Sequence, residues 1–239
     1  MSSLSLLPSL ARAIRGLSAL FWGLPIALFL TANVSLGVPS PGGIPSFPGT
    51  LGSAVGTLSA IFPAALAHGL LLYGLYLLQE FQPQERVWIS ALERARVVGW
   101  LNLVLLPFGY WFSRRPQEPL FNQTFLVSLF AGLFYLIALN HVLRRLAAML
   151  PDETLRADTR LFTALNIRIL CMLAFLLALT LYIGRSRETL ALAGPILGTL
   201  AQFEPWHLVV PALIPIALTM TMYWKTKEVI MTSVFGVPR

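Results

Sequence analysis

The chain has 239 residues, 56% of them hydrophobic and 11% charged, with a mean hydropathy of +0.74. Soluble domains carry about 25% charged residues, so this composition excludes a globular protein that could cover its apolar residues in water and leaves an integral membrane protein. The net charge of +7 comes from fifteen Arg and two Lys against ten acids. No basic run interleaves with aromatics in a soluble segment, so nucleic acid is not an expected partner; the basic excess points to membrane orientation and anionic lipid head groups.

Six apolar segments are long enough for a hydrocarbon layer that takes ~17–25 residues per helix: 16–37, 58–79, 97–112 (near the lower limit), 124–143, 161–184 and 206–224. Each must be a helix, straight or kinked, because lipid offers no partner for open backbone groups. Arg12 and Arg15 precede the first segment like the start of a signal peptide. Its apolar stretch exceeds the usual ~7–15 residues and no A-x-A site follows, so it is expected to remain as a span. The connector 37–53 is rich in Pro and Gly and uncharged, which denies it a regular element. The apolar run 189–203, interrupted by Pro195, is too short to span and is expected to be interfacial or re-entrant. Pro25, Pro63, Pro107, Pro211 and Pro215 fall inside spans and free backbone carbonyls there.

With the N-terminus inside, the inner segments hold thirteen basic residues, among them Arg12, Arg15, Arg86, Arg94, Arg96, Arg144, Arg145, Lys225 and Lys227. The outer ones hold four: Arg114, Arg115, Arg185 and Arg187. The positive-inside rule then places both termini in the cytoplasm. Pro8, Pro83 and Pro151 each precede an amphipathic lead and an odd-numbered span. That pattern suggests three in–out–in helical hairpins. The fold class expected is an all-α integral membrane protein: a single domain, 1–239, of six transmembrane helices with amphipathic cytoplasmic connector helices. The Arg-rich composition suggests a bacterial inner membrane.

The charged stretch PDETLR (151–156) fits the P-x-[DE]-x-x-[RK] pattern of mitochondrial carriers. There the pattern closes odd-numbered helices, whereas here it precedes one, so it carries no family membership. Its residues read as a helix start: acids Asp152 and Glu153 at the positive end of the helix dipole, and Asp152 spaced to pair with Arg156. Leu155, Leu161, Phe162 and Leu165 fall on one side, as in a helix lying apolar face down on the membrane.

Chemistry-bearing residues are few. The single cysteine, Cys171, cannot form an intramolecular disulfide. The three histidines, His68, His141 and His207, fall at three different depths, so no metal or haem and no other cofactor is expected. No G-x-S-x-G occurs and no acid lies within a span, which removes the usual nucleophilic and carboxylate sites. His68, in mid-span, is a ligand-binding candidate because an ionisable side chain in lipid is costly. Asn102, Asn140, His141, Asn166 and Arg168 are expected at one depth in the inner third of the membrane, as a cytoplasm-facing pocket with Arg168 as anion binder. The function expected is a non-enzymatic membrane component, a small permease-like protein or an accessory subunit, with other membrane subunits or a second copy as partners. The alternative is an intramembrane enzyme acting on a lipid-like substrate at that polar cluster.

Overall fold

The computed structural model describes residues 3–37, 50–185 and 206–235, with side chains over 8–37, 56–179 and 213–232. The described residues form six helices and no strands: α1 (Ser3–Leu36), α2 (Thr50–Gln79), α3 (Arg86–Arg114), α4 (Pro119–Met149), α5 (Glu153–Arg185) and α6 (Trp206–Phe235). Five stretches, in α1 to α5, are long and apolar enough to cross a membrane. Their outward faces carry large apolar side chains such as Trp22, Phe29, Val104 and Phe175. Such a surface suits lipid rather than water, so the chain is a membrane-embedded helical protein. Residues 38–49 and 189–203 lie outside the described residues; the expected connector ends earlier than its composition suggested, because α2 begins at Thr50.

Every helix that can be compared runs past its apolar window. The amphipathic leads expected as separate surface helices are the first turns of α3 and α5. They stay in line because their buried positions have partners. Trp88, Leu92 and Ala95 of α3 join Leu143, Leu146, Leu150 and Leu155 in the main apolar core, so the bundle continues beyond the apolar windows. The helices also run through Pro25, Pro63, Pro107, Pro211 and Pro215.

Short links at 80–85, 115–118 and 150–152 force antiparallel neighbours. α1 ends where Gly37 takes φ 67, a left-handed value that stops the helix. Among the described residues α2 touches α1 and α3, α5 touches α4 and α6, and the pairs α1–α3, α4–α6, α1–α6 and α3–α4 also pack. Exchanging the first three helices for the last three leaves this pattern unchanged. The three consecutive pairs of the expected hairpins, α1–α2, α3–α4 and α5–α6, each pack, but the contacts between pairs do not repeat: α1–α3 has no α3–α5 or α1–α5 counterpart among the described residues.

The α1–α2 contact is close. A Cβ on Gly16 would lie 2.8 Å from the Gly74 carbonyl oxygen, and one on Gly74 would lie 3.0 Å from that of Gly16. Backbone meets backbone there, the arrangement that favours small residues between helices in lipid. At the charged end of the same pair, Arg12 forms an ion pair with Glu80, and the Arg96 guanidinium donates to Gln79 Oε1 at 2.7 Å beside the Tyr76 ring.

α5 starts on a side-chain cap. Asp152 Oδ1 accepts from the Thr154 hydroxyl at 2.6 Å and from the Leu155 N–H at 2.9 Å, while the Asp152 carbonyl accepts the first helical bond from Arg156. The expected Asp152–Arg156 pair is replaced: Arg156 donates to the Leu150 carbonyl at 3.1 Å. The cap uses the carboxylate at shorter range and satisfies backbone donors that a surface ion pair would leave open.

Gly16→Val and Gly74→Val are each expected to cost about 1–3 kcal/mol by overpacking, read as a lower melting temperature in detergent. Gly69→Val, where a Cβ meets nothing within 4 Å, should be near neutral. Asp152→Ala should cost about 1 kcal/mol. The Thr154 hydroxyl, then the Leu155 N–H, hold the Asp152 carboxyl below its ordinary range. Its contribution is therefore present above about pH 4 and lost as pH falls through the depressed value. The gap between the two proteins should close on acidification, and a gap that widens would refute the cap.

Candidate functional site

The buried face of α5 is Leu155, Thr159, Thr163, Asn166 and Leu170, a stripe at helical spacing. Leu161 is 66% exposed and Leu165 44%, whereas Thr163 is 2% and Asn166 0% exposed. The expected apolar face is split: Leu161 and Leu165 face outward, where lipid would meet them, while Leu155 is buried, Phe162 packs against the core and the polar stripe turns in. On α6 the matching inward stripe is Pro215, Thr219, Met222, Tyr223 and Thr226.

Asn166 is the hub between these stripes. Its Nδ2 lies 2.8 Å from Thr219 Oγ1, 3.0 Å from Asn140 Oδ1 and 3.1 Å from the Pro215 carbonyl. Asn140 Nδ2 donates to the Leu136 carbonyl at 2.8 Å and to Thr219 Oγ1 at 3.0 Å. Thr219 Oγ1 donates in turn to the Pro215 carbonyl at 2.7 Å. One residue from each of α4, α5 and α6 therefore closes a buried polar cluster.

The inventory of donors and acceptors decides what this cluster can bind. Both Asn140 amide hydrogens are used. The two of Asn166 are shared among three acceptors. The Thr219 hydroxyl donates once and accepts twice. Asn166 Oδ1 is buried with no hydrogen-bond partner. Turning the Asn166 amide over would aim its oxygen at two other oxygens, Asn140 Oδ1 and the Pro215 carbonyl, so the orientation is dictated by its neighbours. The open position is an acceptor. It suits a hydrogen-bond donor, not an anion.

The other expected site residues stand elsewhere. Asn102 Nδ2 donates to the Val98 carbonyl at 2.8 Å and to the Ala131 carbonyl of α4 at 3.1 Å. Ala131 is nine residues from Asn140, about 13 Å along the helix, so Asn102 is not at the depth of the cluster. Depth had been counted from the onset of the apolar run at Val97, but packing of Gly99 against Leu72 and Tyr135 sets the register of α3. Arg168 lies two residues from Asn166, on the exposed face of α5, and His141 is exposed beside Asn140. The pocket with Arg168 as anion binder is not assembled. His68 is half-buried, its Nδ1 2.9 Å from the Ala64 carbonyl, on a helix that makes no contact with α4, α5 or α6 among the described residues. Cys171 is exposed.

Thr219 and the Pro215 carbonyl were missed in the sequence. Their signal was the inward spacing of Thr219, Tyr223 and Thr226, matched by Thr159, Thr163 and Asn166. Among the described residues no group of three or more His, Cys, Asp or Glu side chains gathers as a metal site would require. No protein-family model, no curated protein and no solved structure matches the chain.

Interhelical hydrogen bonds in lipid average ~0.6 kcal/mol each. Asn166→Leu, which removes three contacts and strands the neighbours, is expected to cost about 1–2 kcal/mol. Arg168→Gln on the exposed face should stay within about 0.5 kcal/mol. Thermal melts in one detergent compare the two; equal losses would refute the hub.

Proposed function

We propose that this protein is a small permease-like component of a bacterial inner membrane, with six spans and both termini in the cytoplasm, and that it holds a hydrogen-bond donor at Asn166. The observation that carries the reading is the Asn140–Asn166–Thr219 cluster with its one open acceptor. A purely structural polar contact would close its own inventory. This one leaves a single buried oxygen free where three helices meet. The α6 helix, at 30 residues, has the length of a sixth span. The thirteen-to-four asymmetry of basic residues supports the orientation.

Chemistry favours binding over catalysis at this cluster. Amides and a threonine hydroxyl bring no general base or activated nucleophile. Arg168 and His141, the groups a lipid-processing site would draw on, lie on exposed faces. Anionic head groups are the partners of those outward charges rather than of the cluster.

Native mass spectrometry of the full chain in mild detergent tests the reading. The expected result is the chain, alone or with copies of itself, carrying a small non-protein adduct that is lost in Asn166→Leu and kept in Arg168→Gln. A second protein at fixed stoichiometry with no adduct would overturn it in favour of an accessory subunit. Turnover of an added lipid would overturn it in favour of the enzyme.

A further inference from the structure

Two cytoplasmic turns of the α5–α6 seam carry more open polar atoms. Among the described residues, most hydroxyls in helices bond back to their own backbone: Ser18, Ser59, Ser113, Thr124, Thr219, Thr221 and Thr232 all donate to a carbonyl three or four residues earlier. Thr31 of α1 does not, and neither do Thr159, Thr163 and Thr226. The hydroxyls of Thr159, Thr163 and Thr226 are buried without a partner, and so are those of Tyr223 and of Tyr135, which approaches Tyr223 from α4. Asn166 meets Thr219 and Asp158 pairs with Lys225, which fixes the antiparallel register. Thr159 is then level with Thr226, and Thr163 with Met222 and Tyr223.

These groups make a file of about 10 Å, the rise of seven helical residues, from Thr159 and Thr226 to Asn166 Oδ1. It begins just inside the half-exposed Asp158–Lys225 pair. On α4 the buried residues level with these two turns are apolar, Leu143, Leu146 and Ala147, counted from the Asn140–Asn166 contact. Native structures leave only a few buried polar groups unpaired per 100 residues. Of the eleven such atoms among the described residues, five fall on two turns of α5 and α6 and lead towards the open acceptor of the cluster, which points to a common occupant. Beyond the mouth, no charged side chain belongs to the file. A permanent ion would enter without a counter-charge, which disfavours it.

We propose that the α5–α6 seam is a hydrated file that admits water and small uncharged hydrogen-bonding solutes from the Asp158–Lys225 end to Asn166. Waters or solute hydroxyls and amides pair with Thr159, Thr226, Tyr223 and Thr163 in turn and finish as donors to Asn166 Oδ1. This rests on the binding reading of Asn166 and adds a route and a substrate class to it.

Cysteine reactivity tests the file, because the thiolate reacts and forms readily only where water reaches it. In the full-length Cys171→Ser chain, Thr163→Cys and Thr226→Cys are compared with Leu143→Cys, a buried position on the apolar wall. The probe is methyl methanethiosulfonate, small and uncharged. Both file positions are expected to react at least tenfold faster than Leu143→Cys. Rates no faster than that control overturn the file, whatever native mass spectrometry reports at Asn166. The ethylammonium analogue tests the class: at Thr163→Cys it should react at least tenfold more slowly than the uncharged reagent, and equal rates overturn the restriction to uncharged solutes. Should the cysteine variants fail to fold, Thr163→Val decides. A hydrated hydroxyl lost to a methyl lowers the melting temperature, whereas loss of a dry, unpartnered one raises it and overturns the proposal.

Discussion

The amide of Asn166 holds the second half of this protein together and limits what that half can bind. In lipid, apolar packing does not drive helices together as it does in water, because lipid tails are as apolar as leucine. Specific contacts must choose the partners. Asn166 reaches both neighbours of α5, touching Asn140 on α4 and Thr219 and the Pro215 carbonyl on α6. Proline matters here for its carbonyl rather than for a bend. The Pro215 oxygen takes hydrogens from both Asn166 and Thr219, which ties the cluster to the α6 backbone as well as to its side chains.

The first half is assembled by a different contact. There α1 and α2 approach through Gly16 and Gly74 until backbone meets backbone, and α3 joins where Gly99 seats Leu72 and Tyr135. Buried polar atoms without a partner occur in this half too, at Thr31, Trp88 and Arg96, but they are spread over α1 and α3. The two triplets of helices touch in the same pattern, yet in mid-span one is joined by close backbone contact and the other by side-chain hydrogen bonds, the polar contacts of the first lying at its charged end. The Asn140–Asn166–Thr219 cluster with its open acceptor lies in the second of these halves.

Much of the architecture was legible because composition and periodicity act locally. Apolar runs of sufficient length announce helices that lipid requires, and proline or glycine marks the links. The leads of α3 and α5 read as separate surface helices lying apolar face down on the membrane, because charge ends an apolar window. In the structure they continue their spans, since Trp88, Ala91, Leu92, Ala95 and Leu155 have partners in the core. Leu161 and Leu165 keep an exposed apolar face, as contact with lipid requires, while Thr159, Thr163 and Asn166 turn inward.

The sequence by itself determined the class, the helices, the antiparallel order imposed by short links, and the presence of Asn140 and Asn166 near the ends of their helices' apolar runs that adjoin the α4–α5 link. These follow from composition, from period and from counting along one helix. Which polar residues meet was decided only by the tertiary structure. Register between helices depends on packing at residues far from the site, as Gly99 shows for Asn102. A face two residues around a helix is nearly the opposite side, as Arg168 shows beside Asn166. The sign of the site was decided there too: hydrogens already spent between Asn140, Asn166 and Thr219 leave an oxygen open, and so a place for a donor instead of an anion.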